Sequence, residues 1–213
     1  MTLADPIPLT DQQHFVLTRV SWDFYEQLLD EIGPRQLRVT FDNGNIEMMA
    51  PLQIHEVWKS SIRRLVERMA EELDIDILNL GSTTLKRKDL KKGLEPDECF
   101  YIRNFERVCQ RTEVNLKVDP PPDLAIEVDI TSRSIPRHPI YAALGVPELW
   151  RFDGKRLHVL HLKKGKYVEA KASLSFPFVP MSTFEAFVFR INAERPRKVL
   201  PEFVAWVRTL KIE

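Results

Sequence analysis

Residues 123–130 read as a strand whose two faces differ in kind. Leu124, Ile126, Val128 and Ile130 point one way, while Asp123, Ala125, Glu127 and Asp129 point the other. The aliphatic face belongs in a core. The other face carries three carboxylates, and neighbours two residues apart on one strand face sit roughly 7 Å from each other, so they repel. A hard cation such as Mg2+ or Mn2+ would relieve that repulsion, because Mg2+ takes carboxylate oxygens and keeps several waters. The plainer alternative is a solvated strand face paired with Lys or Arg from a neighbour.

A second acidic position argues for the metal. Pro96-Asp97 opens another strand-like run, 98–102, thirty residues before Glu127. If the two strands are neighbours, Asp97 and Glu127 form a carboxylate pair. Beginning at the end of the strand-like run 82–87 and ending before Asp97 is a basic run, Lys86, Arg87, Lys88, Lys91 and Lys92. It reads either as a turn that grips a phosphate backbone or as a solvated hairpin tip. His55 either orients a water or phosphate or packs at a helix start. His138, His158 and His161 read as structural, and no HExxH or HxxxH spacing exists for zinc. No GxGxxG or GxxxxGK loop is present either, which removes the usual nucleotide cradles.

Elements must hold these residues in place. Ser21 caps an amphipathic helix carrying Trp22, Phe24, Leu28, Leu29 and Ile32, with Gly33-Pro34 as its stop. Runs at 37–41 and 46–49 flank Asp42-Asn43-Gly44-Asn45, a hairpin signal. Apolar residues from Val57 to Leu73 recur at helical spacing, giving the longest helix, 54–73. Strand-like runs follow at 75–80 and 82–87, then an aperiodic stretch, 103–122, ending in three prolines. A short helix over 137–144 stops at Gly145; further strands fall at 148–152, 157–162 and 167–172. Ser182 is expected to cap one closing helix and Pro201 to start the other. Their Phe184, Phe187, Phe203 and Trp206 read as core or as a dimer interface.

The 213 residues fit a single α/β domain, 21–213, behind a Pro-containing arm, 1–20. No apolar run approaches the about 18 residues that cross a bilayer, and Met1–Asp5 shows no secretory pattern, so no membrane partner is expected. Cys99 and Cys109 make neither a redox pair nor a zinc knuckle, which fits a reducing cytoplasm. Thirty-one basic residues balance thirty-one acidic ones, so no basic surplus announces a nucleic-acid partner. Local charge decides that question, not the sum.

These motifs together resemble a known family. Pro96-Asp97, then Glu127-Val128-Asp129, is similar to the PD-(D/E)XK nuclease pattern with the final Lys missing. The run from Pro122 to Val128, the segment from Tyr141 to Trp150, and Ile46–Pro51 with His55-Glu56 resemble the Uma family of restriction endonucleases. The resemblance implies a restriction-endonuclease-like fold, a mixed central sheet flanked by helices. It implies Asp97 and Glu127 as Mg2+ or Mn2+ ligands, the Val128 carbonyl as a third oxygen, and Asp123 or Asp129 as outer or second-metal ligands. Glu47 and His55 would line the site, DNA would be the substrate, and a homodimer the assembly. Arg137 stands where many relatives carry Lys, and Asp129 where the superfamily carries one. Arg137 can hold a phosphate or stabilise charge, but it does not release a proton and so is no base. The competing reading is a nuclease fold without catalysis, a DNA-binding or oligomeric module.

Overall fold

A computed structural model describes residues 14–33, 37–130 and 134–210. In chain order these form β1 (His14–Leu17), α1 (Trp22–Ile32), β2 (Arg38–Asp42), β3 (Asn45–Met49), α2 (Gln53–Glu72), β4 (Leu78–Asn79), β5 (Leu85–Arg87), β6 (Lys92–Leu94) and β7 (Glu98–Tyr101). Then come α3 (Phe105–Val108), β8 (Leu124–Val128), α4 (His138–Leu144), β9 (Glu148–Phe152), β10 (Leu157–Lys163), β11 (Lys166–Ala170), α5 (Met181–Ala193) and α6 (Pro196–Val207). The class is α+β. Pro34, part of the expected helix stop, lies outside the described residues, as does most of the expected arm.

The strands make two sheets. The first is antiparallel, in the order β1-β3-β2-β6-β5. The second is the expected mixed sheet, β11-β10-β9-β8-β7-β4, in which β8 and β9 run parallel and the other pairs antiparallel. A parallel pair needs a crossover, and α4 supplies it. The separate antiparallel sheet was not foreseen from the sequence. Its edge includes His14–Leu17, so the end of the expected arm is a strand paired with β3.

Local chemistry accounts for most element ends. The Ser21 hydroxyl accepts from the Phe24 amide at 3.1 Å, and Gly33 closes α1 at φ 57°. Asn43 and Gly44 take the positive φ of the β2–β3 turn. Gly93 is needed for a different reason. A Cβ there would sit 2.4 Å from the Tyr25 hydroxyl, so only glycine lets α1 lie this close to β6.

Four expectations need correction. The run 75–80 shortens to the two-residue β4, and 82–87 to β5. The closing helices start earlier than expected: α5 begins at Met181 behind Pro180, with the Thr183 and Phe184 amides bonding the Pro180 carbonyl, so Ser182 lies inside it. α6 begins at Pro196, where a missing N–H costs nothing, and Pro201 falls within the helix.

The larger core lies on one face of the mixed sheet. Leu124, Ile126 and Val128 of β8 pack against Ile62, Leu65, Val66 and Met69 of α2 and against Phe184, Phe187 and Val188 of α5, with Val199 and Phe203 of α6 completing it. The Phe- and Trp-rich closing helices are therefore core. On the opposite face, Ala125 meets Ile140, Tyr141 and Leu144 of α4, and Leu85 and Leu94 of the other sheet. α4 is thus packed between the two sheets. Among the described residues, no helix is long and apolar enough to cross a membrane.

Candidate functional site

The chain crosses from one sheet to the other at Glu95-Pro96-Asp97, between β6 and β7. β7 pairs with β8 so that Glu98 faces Ile126 and Cys99 faces Ala125. One step further in that register sets Asp97 opposite Glu127. Directly opposed residues of an antiparallel pair share a face, with Cβ atoms roughly 5 Å apart. Both carboxylates therefore leave the sheet on the α4 side, away from the larger core. Asp97 is fully buried and Glu127 is 4% exposed.

Each carboxylate is held by named donors. Asp97 Oδ2 accepts from the Val128 amide at 2.7 Å and bonds His55 Nε2 at 3.0 Å. Glu127 Oε1 accepts from the Tyr141 hydroxyl and lies 3.0 Å from Arg137 Nη2. That guanidinium, at the start of α4, also donates to the Glu95 carbonyl and stands 5.7 Å above the Tyr141 ring. Burial works against the Arg137 charge, but Glu127, with Tyr141, Asp97 and Glu95 behind it, keeps its proton affinity above the ordinary arginine value. Burial, then the nearby Glu127 carboxylate, pushes the Tyr141 phenol up, so it stays a neutral donor.

His55 is buried at the start of α2, with Nδ1 3.4 Å from Glu56 Oε1. Burial disfavours its charge, yet the hydrogen bond to Asp97 and the neighbouring Glu56 carboxylate outweigh it and lift the imidazole to about 9. The folded value lies above the unfolded value of about 6.5, so the stabilisation is fully present below pH 6.5 and lost as pH rises through 9. We expect wild type to lose on the order of 3 kcal/mol between pH 6 and pH 10 relative to His55→Gln. Urea denaturation at several pH values measures it. Parallel curves for the two proteins would exclude a charged His55.

The remaining expected site residues scatter. Glu47 accepts from the Ser134 amide and bonds His14 Nε2, each at 2.6 Å, tying β1 and β3 to the segment before α4. Asp123 lies at the far end of β8, and its carboxylate takes the Ile102 and Asn104 amides and the Asn104 side chain, which fixes the turn after β7. Asp129 lies past the end of β8, 3.3 Å from Arg151 of the neighbouring strand.

The basic run sits among acidic side chains. It forms the β5–β6 hairpin, but Lys86 pairs with Glu26, Arg87 with Asp89, Lys88 with Asp23 and Lys92 with Asp42. Lys91 occupies the turn at φ 50°. Lys92 precedes Asp97 by five residue steps, at most roughly 17 Å of extended chain. Acidic neighbours cancel most of the hairpin's charge.

Three residues of this cluster had no role in the sequence reading: Arg38, Glu95 and Tyr141. Tyr141 stood in the family-like segment, four residues after Arg137, which is one helical turn. Arg38 gave no local sign, since only the pairing of β2 with β6 brings it near Asp97, while Glu95 is already two residues before Asp97 in the chain.

Among the described residues, no three His, Cys, Asp or Glu side chains gather into a metal cage. Two buried carboxylates on one face still suit Mg2+, which is usually bound by one or two carboxylates, waters and substrate phosphate oxygens. The donor chemistry fits. The sequence from Trp22 to Asn192 matches the family described as "Uma2: Putative restriction endonuclease". No curated protein matches the chain.

Proposed function

The chain belongs to the Uma2 family, and from that premise we propose that it is a Mg2+- or Mn2+-dependent endonuclease hydrolysing DNA phosphodiester bonds. The observation that carries this reading is the register-opposed pair Asp97 and Glu127, on one face and beside the buried Arg137. In this reading Asp97 and Glu127 hold the cation, with the Val128 carbonyl beside them. The chemistry such a cation supplies is a lowered pKa for water and polarisation of a phosphoryl oxygen. Arg137 offsets charge developing on the phosphate and, being unable to release its proton, leaves base chemistry to other groups. Tyr141 fixes the Glu127 carboxylate; His55 and the Val128 amide fix that of Asp97. Glu47 joins the segments around the site, and a homodimer acting in the cytoplasm completes the proposal.

Plasmid cleavage in millimolar Mg2+ or Mn2+, with wild type beside Asp97→Asn, tests it. Metal-dependent nicking by wild type alone is expected; equal nicking by both would place the activity elsewhere. Tyr141→Phe keeps the ring and removes only the donor to Glu127. It is expected to raise the Mg2+ concentration for half-maximal cleavage about 10- to 100-fold, the usual cost of losing a residue that orients a ligand. An unchanged metal titration would rule out that orienting role.

A second reading has its own observation. Arg137 and His55 already set positive charge against Glu127 and Asp97, so the carboxylates are compensated without a divalent ion. That favours a nuclease fold acting as a DNA-binding or oligomeric module. Thermal unfolding separates the two readings: a higher melting temperature in millimolar Mg2+ supports the enzyme, and no shift supports the module.

A further inference from the structure

Arg38 stands on β2, opposite Met49 in the pairing with β3, and its side chain is 11% exposed. Its Nε lies 3.9 Å from Asp97 Oδ1, and one Nη lies 3.8 Å from Glu56 Oε1. Both separations exceed hydrogen-bond length. The Nε is buried and meets no hydrogen-bond acceptor among the described residues, and the same is true of Nε and Nη1 of Arg137. Two guanidiniums thus flank the carboxylates, one from the antiparallel sheet and one from α4, each with inward N–H groups left over.

A buried charged donor without an acceptor is costly. An arginine serving only as a counter-ion would close on its carboxylate, bidentately and at about 2.8 Å. Arg38 instead stands off from Asp97 and Glu56, with Glu95 also in its field, and its Nε is left without an acceptor. Its planar fork suits the non-bridging oxygens of a phosphodiester. We infer that Arg38 is a phosphate-contacting residue, binding a backbone phosphate of DNA alongside Arg137. The inference rests on the nuclease reading above and adds a residue from the antiparallel sheet to the substrate-binding surface.

Fluorescence anisotropy of a labelled DNA duplex in Ca2+, across a series of salt concentrations, tests it on the full chain. Arg38→Gln should weaken binding about 10-fold and reduce the slope of log affinity against log salt by about 0.9, the share of one phosphate contact. Arg38→Lys keeps the charge, so it should keep the slope while losing several-fold in affinity. Wild-type affinity and slope in Arg38→Gln would overturn the inference and leave the nuclease reading standing. Wild type that binds no duplex would overturn both. Should Arg38→Gln fail to fold, the Lys variant decides: affinity equal to wild type refutes a forked phosphate contact.

Discussion

Glu127→Gln is expected to lower Mg2+-dependent DNA cleavage by on the order of 10³-fold, the scale on which single electrostatic stabilisers matter in enzyme sites. The substitution is chosen over alanine for a structural reason. The amide oxygen can still accept from Tyr141 and Arg137, the partners that now hold Oε1. Only the negative charge is removed, and with it one of the two oxygens' worth of attraction for a divalent ion. Melting temperature, followed alongside plasmid nicking, checks that the fold survives. A folded Glu127→Gln protein that nicks DNA at the wild-type rate would end the proposed mechanism.

The largest effect on stability should come from Arg137→Ala. The side chain is 4% exposed, and it joins Glu127, the Glu95 carbonyl and the Tyr141 ring. Its removal leaves a buried carboxylate without its cation, a loss of about 3–5 kcal/mol. Urea unfolding measures this directly. The double variant Glu127→Leu with Arg137→Met should recover most of the loss, since neither charge is then stranded. Millimolar Mg2+ should also restore stability to Arg137→Ala if the carboxylate pair takes a cation, by binding the folded chain alone. A cost under about 1 kcal/mol would mean that water reaches the pair and that the charges are not confined.

The strand that carries Glu127 was legible because its alternation is complete. Four aliphatic residues share one face, and the core of the mixed sheet accepts three of them. Asp97 was legible through its Pro-Asp context, although only the β7–β8 register puts it opposite Glu127. The ion pairs of the basic hairpin were not legible, for an electrostatic reason. Lys86 and Lys88 are neutralised by Glu26 and Asp23, from a helix sixty residues upstream, and no window of sequence shows that. The donors around Asp123 were not legible because alternation reports the face of a strand but not its end. The first sheet went unread as a unit because its neighbours β2 and β6 are fifty residues apart, and β5 and β6 are only three residues each. Pro201 misled because a proline marks a helix start only when no earlier one does so, and Pro196 precedes it.

One linker, Glu95-Pro96-Asp97, belongs to neither sheet and joins both. The proposed chemistry gathers around it: Arg38 is carried by the antiparallel sheet, Glu127 by the mixed sheet, and Arg137 by the helix wedged between them. The site therefore acts as a gauge of how the two halves of the fold sit together. Arg38 Nε and Asp97 Oδ1, 3.9 Å apart, face each other across that junction. Fidelity of the active geometry is in this sense a property of the joint rather than of either sheet.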